Sequence, residues 1–375
     1  MTHTVLPPLR LGFIGGSVHS AIGYTHFNSS RLDGHFRVDS GCFSRRASDN
    51  DETARTYGIA TERTHATWGE LLDREREALD AIVVLTPTPD HCAMVIAALD
   101  AGYAVICEKA LATSSDECRA IGDAASRNHS FLAVTYNYSG YPMVRELRSL
   151  IANGSLGRLH QIHIEMPQEG FLRKAAAPQA WRLQDYAVPT VSLDLGVHVH
   201  HLIHFLTEGK HPLEVVGEQS TYGKFGGIID NVYYLARYED ELRVQSWYGK
   251  TALGYRNGLR IRVFGSQASA EWFQMQPEDL RLSRADGSHI VLDRGSGDAD
   301  VAQQPRYNRF KPGHPSGFIE AFANLYADIA THLRRHQSGK PAPDNFVYGA
   351  RQSEDGLRFL ELIARSASRR AWQSV

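Results

Sequence analysis

Apolar runs and helix-like patterns alternate along the first third of the chain. Five short apolar runs have the character of strands: "LRLGFIG", "FRVDSGCFS", "LDAIVVLTP", "YAVICEK" and "SFLAVTYN". Runs rich in β-branched residues are typical of strands buried on both faces. The segments between them have helical spacing or capping residues, as in "DNDETARTYGI" and "SSDECRAIGDAASRN". This β-α-β-α-β-α-β-α-β order predicts an α/β fold with a doubly wound parallel sheet over residues 1–135.

Strands dominate after residue 135, although the pattern also predicts helices over residues 142–152 and 194–205. The predicted strands are "LHQIHIEMP", "VVGEQSTY", "NVYYLARY", "LRVQSWYG", "LRIRVFG" and "SAEWFQM". Because little helix separates them, they favour a large, mainly antiparallel open sheet. Residues 295–310 are predicted as a long loop, and two amphipathic helices lie in "HPSGFIEAFANLYADIATHLRRH" and "SEDGLRFLELIARSASRRAW". Residues 136–375 are therefore expected to form an α+β domain.

Length, net charge and cysteine content exclude several classes of protein. A chain of 375 residues suggests two domains, and a net charge of −2 provides no basic field, so we expect no nucleic-acid partner. The sequence has no run of about 18 apolar residues, and "MTHTVLPPLR" has no apolar core, so we expect neither a membrane span nor a signal peptide. The four cysteines form no CxxC pair and are expected to be reduced thiols of a cytoplasmic enzyme: Cys42, Cys92, Cys107 and Cys118.

The first predicted strand ends in Gly15-Gly16-Ser17, and a helical pattern follows directly. Residues without a Cβ permit a tight turn and let a pyrophosphate approach the N-terminus of a helix. Ser17 is small and can donate a hydrogen bond, although Ser17 and Ser20 stand where the usual spacing has glycine. The residues alone therefore allow either a modified dinucleotide loop or an ordinary strand-to-helix turn.

The end of the second strand bears on the choice of cofactor. It contains Ser44, Arg45 and Arg46 and no carboxylate that could accept hydrogen bonds from the ribose of NAD. Two guanidinium groups beside a hydroxyl suit a 2′-phosphate, which favours NADP over NAD. The alternative is a pair of solvated arginines before a helix.

Two further segments, "LTPTPDH" and "VICEKALAT", lie at the carboxyl ends of predicted parallel strands. Ligands bind at that edge of an open α/β sheet. Lys109, with Glu108 beside it, could hydrogen-bond a substrate hydroxyl and assist its deprotonation. The alternative is an ordinary surface ion pair.

The segment "SLDLGVHVHHLIHFL" places Asp194 and His198 on one face of a predicted helix, with His201 a turn further on. Imidazole suits the removal of a hydroxyl proton because it titrates near neutral pH. These residues could instead bind a metal, but no HExxH pattern is present, and we expect no metal. A helix with satisfied core histidines is the third possibility.

Together these motifs resemble the Gfo/Idh/MocA family, named after glucose–fructose oxidoreductase, inositol dehydrogenase and a rhizopine-catabolism protein. The resemblance covers nearly the whole chain and rests on "GFIGG" with "AIGYTH", "TPTPDH", "GYAVICEKALA", "YNYSGYPMVRELRSLIANGSLG", "WR" at 181–182, "DLGVHVHHL", "RVFGSQASAEW" and "GHPSGFIEAFANLYAD". It implies an N-terminal Rossmann domain and a C-terminal α/β domain whose open sheet commonly makes dimer or tetramer contacts. It also implies action on sugars, cyclitols and related polyols with NAD(H) or NADP(H).

The resemblance further implies individual roles. Lys109 matches the lysine of a Glu-Lys-Pro motif, and Asp194 and His198 match an Asp-x-x-x-His pair in which His198 is the general acid/base. The substrate is expected to contact Tyr138, Asp194, His198 and His201, and Trp181 with Arg182 to close over the cofactor. The expected cofactor-binding residues are Ile14, Gly15, Gly16, Ser17, Ser44, Arg45, Arg46, Thr86, Pro87, His91, Glu108, Lys109, Trp181 and Arg182. The side chains of Lys109 and His198 are expected to converge on one carbon that faces the nicotinamide.

Three departures from the family pattern accompany these matches. Ala110 stands where the family has Pro, Ser17 and His19 stand where it has glycines, and "AVPTVSLD" lacks the glycines that usually precede the Asp. The predicted function is hydride transfer between NAD(P) and a secondary alcohol or ketone of a sugar, cyclitol or glycoside, by a homodimer or homotetramer. The alternatives are an enzyme that retains its dinucleotide for net elimination, hydrolysis or isomerisation, and a non-catalytic dinucleotide-binding sensor.

Overall fold

A computed structural model describes residues 6–375, so the first five residues of the stretch considered as a leader lie outside the described residues. The chain divides into two compact units. The first unit runs up to Asn137 and includes Phe318–Glu354, and the second comprises Tyr138–Gly317 and Asp355–Val375. Residues 318–354 thus pack with the first unit, whereas the sequence pattern assigned everything after residue 135 to the second domain. In the described part of the chain no helix is both long and apolar enough to cross a membrane.

The first unit contains a five-stranded sheet in which every neighbouring pair is parallel. Its strands are β1 Leu9–Gly15, β2 Phe36–Cys42, β3 Ala81–Leu85, β4 Ala104–Cys107 and β5 Leu132–Val134. Its helices include α1 Gly23–Arg31, α2 Ala47–Tyr57, α3 Trp68–Arg74, α4 His91–Asp100 and α5 Ser115–Arg127. The predicted doubly wound sheet is confirmed, and α3 is an additional element that the sequence pattern missed.

The strand order β2-β1-β3-β4-β5 determines where a ligand can bind. The chain leaves β1 towards β2 on one side and later returns to β3 on the other, so the order reverses at the carboxyl ends of β1 and β3. A crevice forms at such a reversal in open α/β sheets. Gly15 ends β1 and Leu85 ends β3, so "GGS" and "TPTPDH" follow the two strands that border this point.

Helix Phe318–Gln337, which is α8 in chain order, completes the core of the first unit. Its buried residues Phe322, Leu325 and Ile329 belong to the same cluster as Phe13 of β1 and Val83 of β3. An amphipathic helix must bury its apolar stripe against another element, and here the parallel sheet provides that surface. This packing explains why residues far along the chain belong to the first unit.

The second unit contains a nine-stranded sheet in the order β13-β12-β11-β10-β6-β9-β8-β7-β14. Its strands are β6 Leu159–Pro167, β7 Pro212–Ser220, β8 Asn231–Tyr238, β9 Arg243–Gly249, β10 Arg260–Gly265, β11 Ala268–Phe273, β12 Gln276–Arg284, β13 His289–Leu292 and β14 Gln373–Ser374. All neighbours are antiparallel except β6 and β9. The predicted large, mainly antiparallel sheet is confirmed.

Three helices accompany this sheet: α6 Pro142–Ala152, α7 Val197–Leu206 and α9 Ala350–Arg369, of which the residues from Asp355 onwards belong to the second unit. The helix predicted over residues 194–205 begins differently, because a π-helical turn, Ser192–Gly196, precedes α7. Single π turns often occur at functional sites, because they change which side chains share a face.

Candidate functional site

Two consecutive glycines with positive φ angles lie at the end of β1. Gly15 and Gly16 adopt φ angles of +81° and +76°, which side chains with a Cβ rarely tolerate. A Cβ on Gly15 would lie 3.0 Å from the carbonyl group of Leu85, so the ends of β1 and β3 approach each other closely. A turn without Cβ atoms is what a pyrophosphate site needs, and the contact of Gly15, Gly16 and Ser17 with a cofactor stays a prediction.

The sequence pattern predicts a helix directly after Ser17, but in the structure several residues separate Ser17 from the helix. Helix α1 begins at Gly23, and the Oγ of Ser20 accepts hydrogen bonds from the main-chain N–H groups of Ile22 and Gly23 at 3.2 and 3.0 Å. A Cβ on Gly23 would lie 2.2 Å from the carbonyl oxygen of Gly16. Gly23 therefore permits the close packing of helix against loop, and the signal in the sequence was the glycine of "AIGYTH".

The remaining residues of the predicted dinucleotide site differ in exposure. Ile14 is buried in the core, so only its main chain could contact a cofactor, and Ser17 is also buried. Arg46 forms an ion pair with Asp49 at 2.9 Å. Arg45 is exposed and forms no ion pair within residues 6–375, so its guanidinium group is available to an anion.

His91 connects the two loops that follow β3 and β4. Its Nε2 lies 2.8 Å from the carbonyl oxygen of Thr86, next to Pro87, and its Nδ1 lies 2.8 Å from that of Ala110. Burial lowers its pKa, although both carbonyl contacts oppose this shift. Because the ring is 1% exposed, His91 is better placed to position the loops than to make the direct cofactor contact that the sequence suggested.

Lys109 follows β4, and the peptide bond between Lys109 and Ala110 is cis. The preceding carboxylate, Glu108, accepts a hydrogen bond from the Thr135 hydroxyl at 2.7 Å and lies 3.4 Å from Nε2 of His26. Glu108 is thus bound within the protein, and its expected contact with the cofactor stays a prediction. Lys109 belongs to the first unit and His198 to the second, so their expected convergence also stays a prediction.

In the second unit, Asp194 lies in the π turn and is almost fully buried. Its Oδ2 contacts two cations, the guanidinium group of Arg182 at 2.5 Å and the ammonium group of Lys250. Lys250 directly follows β9, and its ammonium group lies 5.5 Å from the ring centroid of Phe171. The sequence pattern missed Lys250, although a lysine after a strand-forming "SWYG" run is a signal similar to that of Lys109.

Arg182 contacts an aromatic ring as well as the Asp194 carboxylate. Its guanidinium carbon lies 4.4 Å from the ring centroid of Trp181, whose indole N–H donates to Gln179 at 2.9 Å. The role expected for Trp181 and Arg182 was closure over the cofactor. Their contacts instead connect them to the carboxylate of the predicted acid–base set, and cofactor contact stays a prediction.

His198 lies on α7, where its ring packs edge-on against Tyr138 with centroids 4.7 Å apart. The Tyr138 hydroxyl accepts a hydrogen bond from the Asn257 side chain at 2.8 Å. Gly196, the last residue of the π turn, has to lack a Cβ, since a Cβ there would lie 2.8 Å from the hydroxyl oxygen of Tyr248. Asp194 in the π turn and His198 in α7 therefore lie on one continuous helical segment.

His201, the third predicted residue on this helix, is 2% exposed and stacks on Phe205 with centroids 5.9 Å apart. Burial and the neighbouring His204, His200 and Arg148 place its pKa well below the ordinary value. A neutral, enclosed ring packs as a core residue does, so a role in lining the sugar pocket stays a prediction. Within residues 6–375, no group of three or more His, Cys, Asp or Glu side chains is arranged to hold a metal ion.

Comparisons with known proteins agree with this arrangement of motifs. The model of the oxidoreductase family with an NAD-binding Rossmann fold matches residues 9–136, and that of the GFO/IDH/MocA C-terminal domain matches residues 144–271. The oxidoreductase YfiI of Bacillus subtilis (strain 168) is 28% identical over 375 residues, which cover 96% of this chain and 95% of YfiI. Myo-inositol dehydrogenase Hyg17 of Streptomyces leeuwenhoekii is 29% identical over 327 residues, covering 84% and 88% of the two chains.

A solved structure extends the likeness to three dimensions. The inositol dehydrogenase homolog of Azotobacter vinelandii, in complex with NADH and myo-inositol, has a TM-score of 0.89 at 28% sequence identity, covering 99% of this chain and 98% of that one. The two family models match consecutive stretches that together make up most of the chain. The protein thus belongs to the Gfo/Idh/MocA family of oxidoreductases and has that family's NAD-binding Rossmann domain.

Proposed function

We propose that the protein is an NAD(P)-dependent dehydrogenase or reductase of a secondary alcohol or ketone in a sugar or cyclitol. The observation that carries this proposal is the segment Ser192–Leu206, which holds His198 against Tyr138 and fixes the Asp194 carboxylate between two cations. The glycine loop after β1 fits a dinucleotide, because a Cβ at Gly15 would fill the space beside Leu85. The family relatives named above include a myo-inositol dehydrogenase, which supports the substrate class.

In the proposed mechanism, His198 accepts the hydroxyl proton as the substrate carbon is oxidised, and returns it in the reverse direction. The nicotinamide of a bound cofactor would accept the hydride in one direction and donate it in the other. Asp194 holds substrate hydroxyl groups, and the cations of Arg182 and Lys250 keep its carboxylate in a fixed position. Lys109 assists by hydrogen-bonding the reacting oxygen.

Steady-state assays with a panel of sugars and cyclitols and with both cofactors test this proposal. We expect His198→Ala to lower kcat/KM by about 100-fold or more, as removal of a general base does. A double-mutant cycle with Lys109→Met shows whether the two residues act in one step, because their effects are then less than additive. Unchanged turnover in His198→Ala would refute the proton-transfer role.

We infer that NADP(H) is preferred to NAD(H). The end of β2 carries no carboxylate, and the exposed guanidinium group of Arg45 is available for a 2′-phosphate. We expect Arg45→Ala to weaken NADPH binding by about tenfold and to leave NADH binding nearly unchanged, as measured by isothermal titration calorimetry. Tighter binding of NADH than of NADPH by the unaltered protein would contradict the preference.

We also propose that the protein is a homo-oligomer whose contact surface is the open face of the nine-stranded sheet. Leu235 and Phe264 are exposed on this face, and Tyr233 stacks on Trp247 with centroids 6.0 Å apart. Exposed apolar side chains grouped on a sheet are typical of an interface. Sedimentation velocity would show dissociation in Leu235→Arg and none in the control Met275→Arg, which lies in the turn before β12. A monomeric unaltered protein would refute the proposal.

We place the enzyme in the cytoplasm. In the part of the chain that the structure describes, none of the four cysteines forms a disulfide bond, which suits a reducing compartment. Fractionation of cells with an antibody against the protein checks the location, and recovery outside the cytoplasm would contradict it.

A further inference from the structure

One face of helix α2 is hydrogen-bonded to the main chain of two other segments of the first unit. Three buried side chains on this face follow the spacing i, i+3 and i+7: Asn50, Thr53 and Tyr57. Residues at this spacing lie on the same side of a helix. Their partners lie in the glycine loop, residues 15–22 between β1 and α1, and directly after β2.

Two of these side chains hold the glycine loop. The Thr53 hydroxyl accepts a hydrogen bond from the main-chain N–H of Val18 at 3.1 Å and donates to the carbonyl oxygen of Asp49 at 2.6 Å. The Tyr57 hydroxyl donates to the carbonyl oxygen of Gly16 at 3.2 Å. Burial raises the pKa of Tyr57 to about 12, so the phenol keeps the hydrogen that it donates. The loop is therefore bound to α2 at two points of its main chain.

The third side chain holds the end of the second strand. Oδ1 of Asn50 accepts a hydrogen bond from the main-chain N–H of Phe43 at 2.7 Å, and its Nδ2 donates to the carbonyl oxygen of His65 at 2.9 Å. Phe43 directly follows β2 and precedes Ser44 and Arg45. In dinucleotide-binding folds the ribose of the cofactor lies at this strand end, and the pyrophosphate lies on the loop after the first strand. Helix α2 is thus bonded to both segments.

The Tyr57 ring is packed between aromatic neighbours. It stacks on Phe27 of α1 with centroids 3.8 Å apart, and it lies edge-on to Phe43 with centroids 5.7 Å apart. Closely packed side chains in a protein interior keep one arrangement. The ring therefore holds its hydroxyl, and with it the Gly16 carbonyl group, in one place.

Another contact between α2 and the glycine loop lies in solvent. Nε2 of His19 is 2.9 Å from a carboxylate oxygen of Glu52, and both side chains are about half exposed. An ion pair at such a position contributes little, because water screens it and both side chains lose freedom. The buried contacts of Thr53 and Tyr57 therefore determine where the loop lies.

We propose that Asn50, Thr53 and Tyr57 are positioning residues that determine the separation between the glycine loop and the end of β2, and thereby the affinity for the adenosine diphosphate half of the cofactor. This inference rests on the NAD-binding Rossmann domain and not on the substrate class proposed above. The three side chains act through main-chain groups and need not contact the cofactor. They lie outside the motifs of the glycine loop and of the strand ends.

Calorimetric titrations of the full-length protein with NADPH and with NADH test the two contacts to the loop. We expect Tyr57→Phe and Thr53→Val each to weaken binding of the tighter cofactor by about fivefold, because each leaves a main-chain group of the loop without its hydrogen bond. Thr53→Ser keeps the hydroxyl and should bind as the unaltered protein does. Unchanged binding in Tyr57→Phe or in Thr53→Val would overturn the inference, as would an unaltered protein that binds neither cofactor.

Two control variants remove similar hydroxyl groups elsewhere in the first unit. Thr56 is exposed on α2, and its hydroxyl donates to the Glu52 carbonyl at 2.8 Å, a bond within the helix like the one that Thr53 donates. Tyr103 is buried, and its hydroxyl donates to the Leu72 carbonyl at 2.9 Å. Thr56→Val and Tyr103→Phe should bind within about twofold of the unaltered protein. Losses in these controls as large as those in the test variants would overturn the inference.

Adenosine distinguishes a displaced loop from a general loss of structure, because it has the ribose but no phosphate. By ligand-observed NMR, Tyr57→Phe should bind adenosine within about twofold of the unaltered protein, whereas Asn50→Ala should weaken adenosine and cofactor alike. Equal weakening of both ligands in Tyr57→Phe would overturn the inference. This variant keeps the ring against Phe27, so it decides the matter even if Asn50→Ala does not fold.

A double-mutant cycle tests whether the two ends of α2 act on one separation. Releasing either end loosens the same distance, so the double variant Asn50→Ala with Tyr57→Phe should weaken cofactor binding by less than the product of the single effects. Independent effects would contradict a shared role. No substrate takes part in these measurements, so a protein that oxidises no polyol but shows this binding pattern would refute the proposed function and support the positioning role.

Discussion

Helix α7 carries buried histidines that we expect to set the acid limit of stability of the second unit. The His200 ring is 7% exposed and packs against Phe359 of α9, with centroids 5.4 Å apart. Burial, followed by repulsion from His204 and His211, lowers the pKa of His200 from 6.5 to about 3. The ring therefore stays neutral in the folded protein throughout the mildly acidic range.

The unfolded chain lacks this restraint, and its His200 takes up a proton below a pH of about 6.5. Between that pH and about 3, the unfolded state binds more protons than the folded state, so the free energy of unfolding falls as pH falls. The contribution of His200 to the free energy of unfolding is fully present above pH 6.5 and is lost below a pH of about 3. At pH 5 the loss from this one side chain is about 2 kcal/mol.

His204 adds a loss in the same direction. Burial, with repulsion from His211 and from Arg148 of α6, lowers the pKa of His204 to about 4. The two rings are neighbours, with centroids 6.2 Å apart, so protonation of one opposes protonation of the other. The pH dependence of the folded unit therefore belongs to the pair, and substitution of His200 alone removes only part of it.

Urea unfolding followed by tryptophan fluorescence at pH 7 and pH 5 measures this dependence. Four of the five tryptophans lie in the second unit, so the signal comes mainly from that unit. The free energy of unfolding falls between pH 7 and pH 5 in both proteins, and we expect this fall to be about 2 kcal/mol smaller in His200→Phe than in the unaltered protein. The control His160→Phe, at an exposed position of β6, should show the dependence of the unaltered protein. Equal losses in His200→Phe and the unaltered protein would refute the reasoning.

Three other substitutions test the site and its support. Gly23→Ala should weaken NADPH binding by about tenfold or more in calorimetric titrations, because its Cβ would lie 2.2 Å from the Gly16 carbonyl oxygen; binding equal to that of the unaltered protein would contradict this. Lys250→Met should lower kcat/KM by about tenfold in steady-state assays, since Asp194 loses one of its two cations, whereas an unchanged value would show that Arg182 suffices. Glu146→Gln should lower the free energy of unfolding in urea by about 2 kcal/mol, because this buried carboxylate of α6 accepts hydrogen bonds from the main-chain N–H groups of residues 300–302. A change near zero would refute that role.

The local pattern predicts much of the fold. The helix Pro142–Ala152 has the predicted bounds, and the strands of the parallel sheet lie within the predicted apolar runs, since strands buried on both faces need continuous apolar sequence. Strand β12 was missed because "QPEDLRLSR" is mostly polar, and only Leu280 and Leu282 alternate inward. The strand is nevertheless stable because both neighbours pair with its main chain.

Local sequence patterns predict less of the candidate site than of the fold. Motif spacing identifies Gly15, Lys109 and His198 because each lies at a strand end or on a helix with a repeating pattern. Contacts between distant segments leave no local signal, and Lys250 beside Asp194 and His26 beside Glu108 are two of these. The start of α1 also escaped prediction, since two serines and a histidine interrupt the glycine spacing on which that prediction depended.

The return of the chain to its first unit has a consequence for biosynthesis. About 180 residues separate Asn137 from Phe318, and a ribosome adds roughly 5 to 20 residues per second, so roughly 10 to 40 s pass before α8 emerges. During that interval the sheet of the dinucleotide-binding unit lacks the helix that covers part of its apolar surface. The nascent chain is then a natural client for a chaperone that shields exposed hydrophobic surface, and the cofactor-binding unit can mature only after Tyr138–Gly317 of the second unit have been translated.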